Sequence, residues 1–181
     1  MGWILKCVAA LALVGFAVSA QAQLADDEQA CYGRAYTAED LSSNPGQSVV
    51  SMQIVMDASF AGEPPDHTGP SMIDTTMTAT LRDRFGEFFV NSAVCRWMGE
   101  AEHYSCEIEC DGGAFEIEPA SDGTATLLNE SLGFLLYGGC GFDGEMIEIQ
   151  PGDPHAAFQL YELPIEACPI GLRTLYTNMP D

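Results

Sequence analysis

A chain of 181 residues that carries 27 acidic and six basic side chains has a formal net charge of −21. Nucleic acids and anionic lipid surfaces are bound through clustered Lys and Arg, so this charge balance argues against both as partners. This length fits one domain with a real core, and no second domain is required.

The first 22 residues have the pattern of a signal peptide. Lys6 precedes an apolar run from Val8 to Val18, and Ser19-Ala20-Gln21-Ala22 supplies the small residues that a signal peptidase accepts, which predicts cleavage after Ala22. An uncleaved anchor needs about 20 consecutive apolar residues, and Lys6, Ser19 and Gln21 interrupt this stretch. Lipidation is not expected, because Cys31 is separated from the small-residue box by Asp26, Asp27, Glu28, Gln29 and Ala30. Cleavage leaves 159 residues and removes Lys6, so that Arg34, Arg82, Arg84, Arg96 and Arg173 face 27 acids and the net charge becomes −22. The expected location is periplasmic or secreted, and the expected partners are cations, a basic protein or a small apolar ligand.

Residues 23–30 form an acidic lead, and six of the seven cysteines follow it or close it: Cys31, Cys95, Cys106, Cys110, Cys140 and Cys168. An exported chain holds its cysteines in an oxidising compartment, so three disulfides are expected, among 15 connectivities. Cys106 and Cys110 share one strand-like run, where a rise of ~3.3 Å per residue sets them about 13 Å apart, beyond the ~7 Å a bridge allows. Cys95 lies across the turn Met98-Gly99-Glu100-Ala101 from Cys106, which favours Cys95–Cys106. The remaining expected pairs are Cys110–Cys140 and Cys31–Cys168, the latter clasping the ends of a domain over 31–168. Residues 169–181 are then a tail or a last strand. Zinc-site spacing and the redox pattern Cys-x-x-Cys are both missing from the sequence.

Along the chain, Thr37-Ala38-Glu39-Asp40-Leu41 is a helix start with Thr37 as cap, stopped by Asn44-Pro45-Gly46, and it supports one short helix. Strand-like runs follow at Ser48–Phe60, Ser71–Leu81, Phe85–Trp97, Glu102–Cys110, Ala114–Glu118, Thr124–Leu128, Leu132–Tyr137, Glu145–Ile149 and Ala156–Leu163. Turns every 8–12 residues suit an all-β fold, an antiparallel barrel or sandwich of about 8–9 strands. Ala61–Pro70, with its prolines and glycines, reads as a loop. Asp111-Gly112-Gly113 is the clearest hairpin signal. Alternation around it puts Tyr104, Cys106, Ile108, Cys110, Phe115 and Ile117 on a core face, and Glu107, Glu109, Glu116 and Glu118 on the other.

Those four glutamates are the candidate metal site. Like charges opposite one another destabilise a sheet, no lysine is available to offset them, and Ca²⁺ takes clustered carboxylate oxygens. No EF-hand loop is present, and water and salt also screen an exposed acidic face. No cofactor other than Ca²⁺ is indicated. Hydrolase signatures such as Gly-x-Ser-x-Gly and His-Glu-x-x-His do not occur, and His67, His103 and His155 are scattered, each expected to be a solvated polar residue. A barrel lumen enclosing a small apolar ligand is a further reading, resting on fold analogy. Asn129-Glu130-Ser131 matches a glycosylation sequon.

The segment Cys31-Tyr32-Gly33-Arg34-Ala35-Tyr36, followed by Leu41 and Asn44-Pro45-Gly46-Gln47-Ser48-Val49, resembles the start of uncharacterised exported proteins of proteobacteria. The resemblance covers this segment alone; it implies a periplasmic location and brings no activity with it. The expectation is an exported, soluble, non-catalytic β domain with a binding or envelope-associated role. The alternatives are Ca²⁺ binding on the hairpin face, a carrier of a small apolar ligand, and an extracytoplasmic enzyme.

Overall fold

The computed structural model describes residues 23–24, 28–58, 72–84, 89–109, 111–129, 133–136, 146–152 and 154–168. The first strand, β1 (Gln29–Ala35), leads into the helix α1 (Ala38–Ser43), which the chain leaves for β2 (Val49–Asp57) and β3 (Met72–Leu81). β4 (Phe89–Met98), β5 (His103–Glu107), β6 (Ala114–Pro119) and β7 (Thr124–Leu128) continue the meander. Two three-residue strands, β8 (Phe134–Leu136) and β9 (Ile147–Ile149), precede β10 (Ala157–Leu163) and a 3-10 turn at Ile165–Ala167.

Eight strands close into an antiparallel barrel in the order β1-β10-β7-β6-β5-β4-β3-β2, and β8 and β9 pair with each other outside it. Strand alternation fills the interior. Met52, Ile54 and Met56 of β2, Ile73 and Met77 of β3, Tyr104 and Cys106 of β5, Ile117 of β6, Leu127 of β7, and Phe158 and Leu160 of β10 are all essentially fully buried. An eight-stranded barrel is just wide enough for side chains of this size, and flexible methionines suit the gaps between branched and aromatic neighbours.

The β8–β9 pair folds across one end of the barrel as a plug. Phe134, Leu136 and Ile149 belong to the same core cluster as the barrel residues, and Phe134 meets Phe115 and Phe158 edge-on at 5.7 and 6.4 Å. Asn91, inward on β4, donates from Nδ2 to the Leu135 carbonyl at 2.7 Å. The Asp111-Gly112-Gly113 turn docks there too: Leu135 N–H donates to the Gly112 carbonyl, and Ala114 N–H to the Gly133 carbonyl. A Cβ on Gly113, whose φ is +89°, would lie 2.1 Å from the Gly133 oxygen, so only glycine fits this approach.

At the other end, the ring of Trp97 lies 4.8 Å from that of Tyr104, and the Tyr104 hydroxyl accepts the Leu24 N–H at 2.7 Å. On the plugged rim, between β1 and β2, α1 carries a complete capping box: the Thr37 hydroxyl accepts Asp40 N–H, and the Asp40 carboxylate accepts Thr37 N–H. Arg82 closes the opposite end of this helix by donating to the Leu41 and Asn44 carbonyls.

The structure holds the Cys95–Cys106 and Cys31–Cys168 disulfides, with Cα separations of 4.0 and 6.2 Å. The first spans directly opposed residues of β4 and β5 inside the barrel, where the Thr75 hydroxyl sits 3.0 Å from Cys95 Sγ. The second packs with Val55 and Leu163 in a separate small cluster. Cys110 and Cys140, and with them the expected third pair, lie outside the described residues.

The Cys31 segment, outside the expected strand runs, is the barrel strand that closes the sheet against β10. Of two further expected runs, the described parts Phe134–Leu136 and Ile147–Ile149 form the plug and are not barrel staves.

Candidate functional site

The hairpin turn puts Tyr104, Cys106, Ile108, Phe115 and Ile117 inside and leaves Glu107, Glu109, Glu116 and Glu118 exposed. The register separates the four carboxylates. Glu107 is opposite Ala114 and Val94, Glu116 opposite Ser105 and Leu128, and Glu118 opposite Thr126, so no glutamate of the four is paired directly with another. The like-charge opposition on which the Ca²⁺ expectation rested is therefore missing from this face. Glu109 lies beyond the end of β5, in the turn. His103 Nε2 stands 3.8 Å from Glu116 Oε1. Among the described residues, no three His, Cys, Asp or Glu side chains converge closely enough to hold a metal ion.

The opposition occurs elsewhere. Asp57 and Asp74 are directly opposed on β2 and β3, and Asp57 accepts a hydrogen bond from the Gln29 side-chain amide. Partial burial, then repulsion from Asp57, raises the Asp74 carboxyl above the usual carboxylate range. A depression of about 580 Å³ opens on the outer wall nearby, lined among the described residues by Met72, Val94, Arg96, Met98, Glu107 and Glu109. It brings two of the four glutamates together with the one arginine of β4.

A nucleophile and a base do meet at the plugged end, against the expectation that every histidine is solvated. Ser48 Oγ lies 3.1 Å from His155 Nε2, and Ser48 N–H donates to the same nitrogen at 3.1 Å. The ring stacks on Phe158 at 5.9 Å, and burial lowers its pKa below 6.5. This arrangement is poor for hydrolysis. The lone pair that would take the Ser48 proton already accepts a backbone N–H, and no carboxylate orients the ring among the described residues. His67 lies outside the described residues.

The sequon is closed to modification. Asn129 is fully buried and its Nδ2 donates to the Ile149 and Gln150 carbonyls, so the nitrogen that a glycan needs is committed to the plug. Burial also dominates three tyrosines: Tyr104 is pushed up to about 12, and Tyr32 and Tyr36 are raised, with Glu162 adding to the effect at Tyr32. Local sequence gave no signal for the Ser48–His155 contact, whose partners are 107 positions apart. Among the described residues no helix is long and apolar enough to cross a membrane. No protein-family model matches the chain, and neither the curated proteins nor the solved structures contain a match to it.

Proposed function

We propose that the mature chain is an exported, non-catalytic binding domain: a filled barrel that serves as a rigid scaffold and engages basic protein partners through its anionic outer wall. The observation that carries this reading is the interior, where Met52, Ile54, Met77, Tyr104, Leu127 and Phe158 occupy the space in which a carrier would hold its ligand. Two disulfides support export, since such bonds persist in oxidising compartments. The charge supports a basic partner, because a strongly anionic surface accelerates encounter with cations and repels other acidic molecules.

Expression with the native leader, followed by cell fractionation and intact-mass measurement, tests export: a mature product starting at Gln23 and found outside the cytoplasm is expected. Calorimetric titration with a small basic protein, cytochrome c, tests the partner class. Binding that weakens steeply with ionic strength is expected. Absence of heat at low ionic strength, or uptake of a fluorescent fatty acid into the barrel, overturns the reading.

A further inference from the structure

The loop after α1 packs against the loop that joins β9 to β10. A Cβ on Gly46 would touch the Pro154 ring at 3.5 Å, and beside this contact both the N–H and the hydroxyl of Ser48 stand 3.1 Å from His155 Nε2. A backbone N–H only donates. Nε2 must therefore carry its lone pair, and the ring is the neutral tautomer with its proton on Nδ1.

From His155 the contact runs into the plug. His155 N–H donates to the Gly152 carbonyl at 2.6 Å, Gly152 N–H to the Asn129 carbonyl at 3.4 Å, and Asn129 Nδ2 to two carbonyls at the end of β9. Phe158, under the imidazole, also touches Phe134 of β8. The elements packed on the ring present Ser48, Phe158 and Gly152, with no charged side chain among the described residues shifting its titration. Arg82 is bound to Ser48 through its backbone, and its guanidinium is turned to Leu41 and Asn44. Asp153 lies outside the described residues.

We propose that the Ser48–His155 contact is an acid-released latch: protonation of Nε2 sets a second N–H against that of Ser48, breaks the contact and loosens the loop before β10 together with the plug, while the disulfide-bonded barrel wall stays folded. Solvent supplies the proton, and no other bond changes. Burial of the ring favours the neutral form in the folded state. The latch therefore contributes stability above the unfolded value of about 6.5 and loses it as pH falls from there through the lower folded-state value. An exported domain meets the pH of its surroundings, which gives the device a setting in which to act.

Amide hydrogen exchange on the oxidised mature protein, compared at about pH 7.5 and about pH 5 after correction for intrinsic exchange, reads the latch directly. Protection at Ser48, Leu135 and Gly152 should fall, by up to about 30-fold at pH 5 because that pH lies about 1.5 units below 6.5, while the β2–β3 ladder is unchanged. In H155Q, whose Oε1 accepts the same N–H and does not titrate, the pH dependence should vanish; in H103Q it should persist. Equal corrected protection at both pH values, or an unchanged dependence in H155Q, overturns the proposal. If H155Q does not fold, the imidazole ¹⁵N titration of the wild-type chain decides: a proton on Nε2 at neutral pH, or a midpoint at or above about 6.5, overturns it as well.

Discussion

Cys31 on β1 and Cys168 after the 3-10 turn are 137 positions apart in sequence, and their disulfide sets their Cα atoms 6.2 Å apart on the outside of the barrel. Because β1 also pairs with β10, the bridge ties together the two strands whose meeting closes the sheet. In the chain-entropy model a loop of this length contributes about 5 kcal/mol, against about 3 kcal/mol for the short loop of Cys95–Cys106. The double variant C31A/C168A should therefore lose more stability in urea unfolding than the short loop alone accounts for in C95A/C106A. The latter also opens space in the core, because both of its sulfurs are fully buried. A C31A/C168A loss below about 2 kcal/mol would show that the clasp is dispensable.

Gly113 and Gly152 both have positive φ, +89° and +96°, but only Gly113 is crowded. Alanine at Gly152 should cost about 1–2 kcal/mol from backbone strain alone. Alanine at Gly113 must also displace the Gly133 carbonyl, and should cost at least ~3 kcal/mol and loosen the plug. Denaturant midpoints of the two variants, measured side by side, check the ranking.

Asp74 is raised by burial and by Asp57, so its charged form is disfavoured in the folded state. The sign follows: the penalty is absent at pH values below the unfolded pKa and is fully present above the folded one. Solvent screening keeps the effect small, so D74N should stabilise the domain at neutral pH by at most ~0.5 kcal/mol, about 1–2 °C in Tm for a chain of this size, with the gain fading in acid. A neutral or destabilising D74N at pH 7 would contradict the account.

Tyr104, pushed up to about 12, should appear in an absorbance titration as a late-ionising tyrosine. Its folded-state pKa exceeds the unfolded value near 10, so its contribution is complete below that value and is lost as pH rises towards 12. Y104F leaves the Leu24 N–H without its acceptor and should cost about 1 kcal/mol, accompanied by faster exchange of that amide.

Residues in local register were legible from sequence. The alternation around Asp111-Gly112-Gly113 placed Tyr104, Cys106, Phe115 and Ile117 inside, Thr37 and Asp40 announced the helix cap, and the span between Cys95 and Cys106 fitted one hairpin. Long-range closure was not legible. β1 contains Gly33, whose added Cβ would lie 2.8 Å from Leu163, and a glycine within a run hides a strand, one of whose two partners is over a hundred residues away. Period-two patterning showed that Phe134, Leu136 and Ile149 belong to strands but carries no information on which layer receives them. The candidate site suffered from the same limit: strand parity put the four glutamates on one face, while only the register shows that Ala114, Ser105 and Thr126 intervene.

A sheet closed on itself offers no unpaired ladder to a neighbouring molecule. Among the described strands, β8 is flanked on its far side by Gly112 and Gly113, which leaves the three residues of β9, with exposed Glu148 at their centre, as the bare margin. Three residues are too few to template cross-β growth, and the charge at their centre discourages it further. Self-association into fibrils should thus require the meeting of β1 and β10 to come apart first, which ties aggregation resistance to the same seam that the outer disulfide guards.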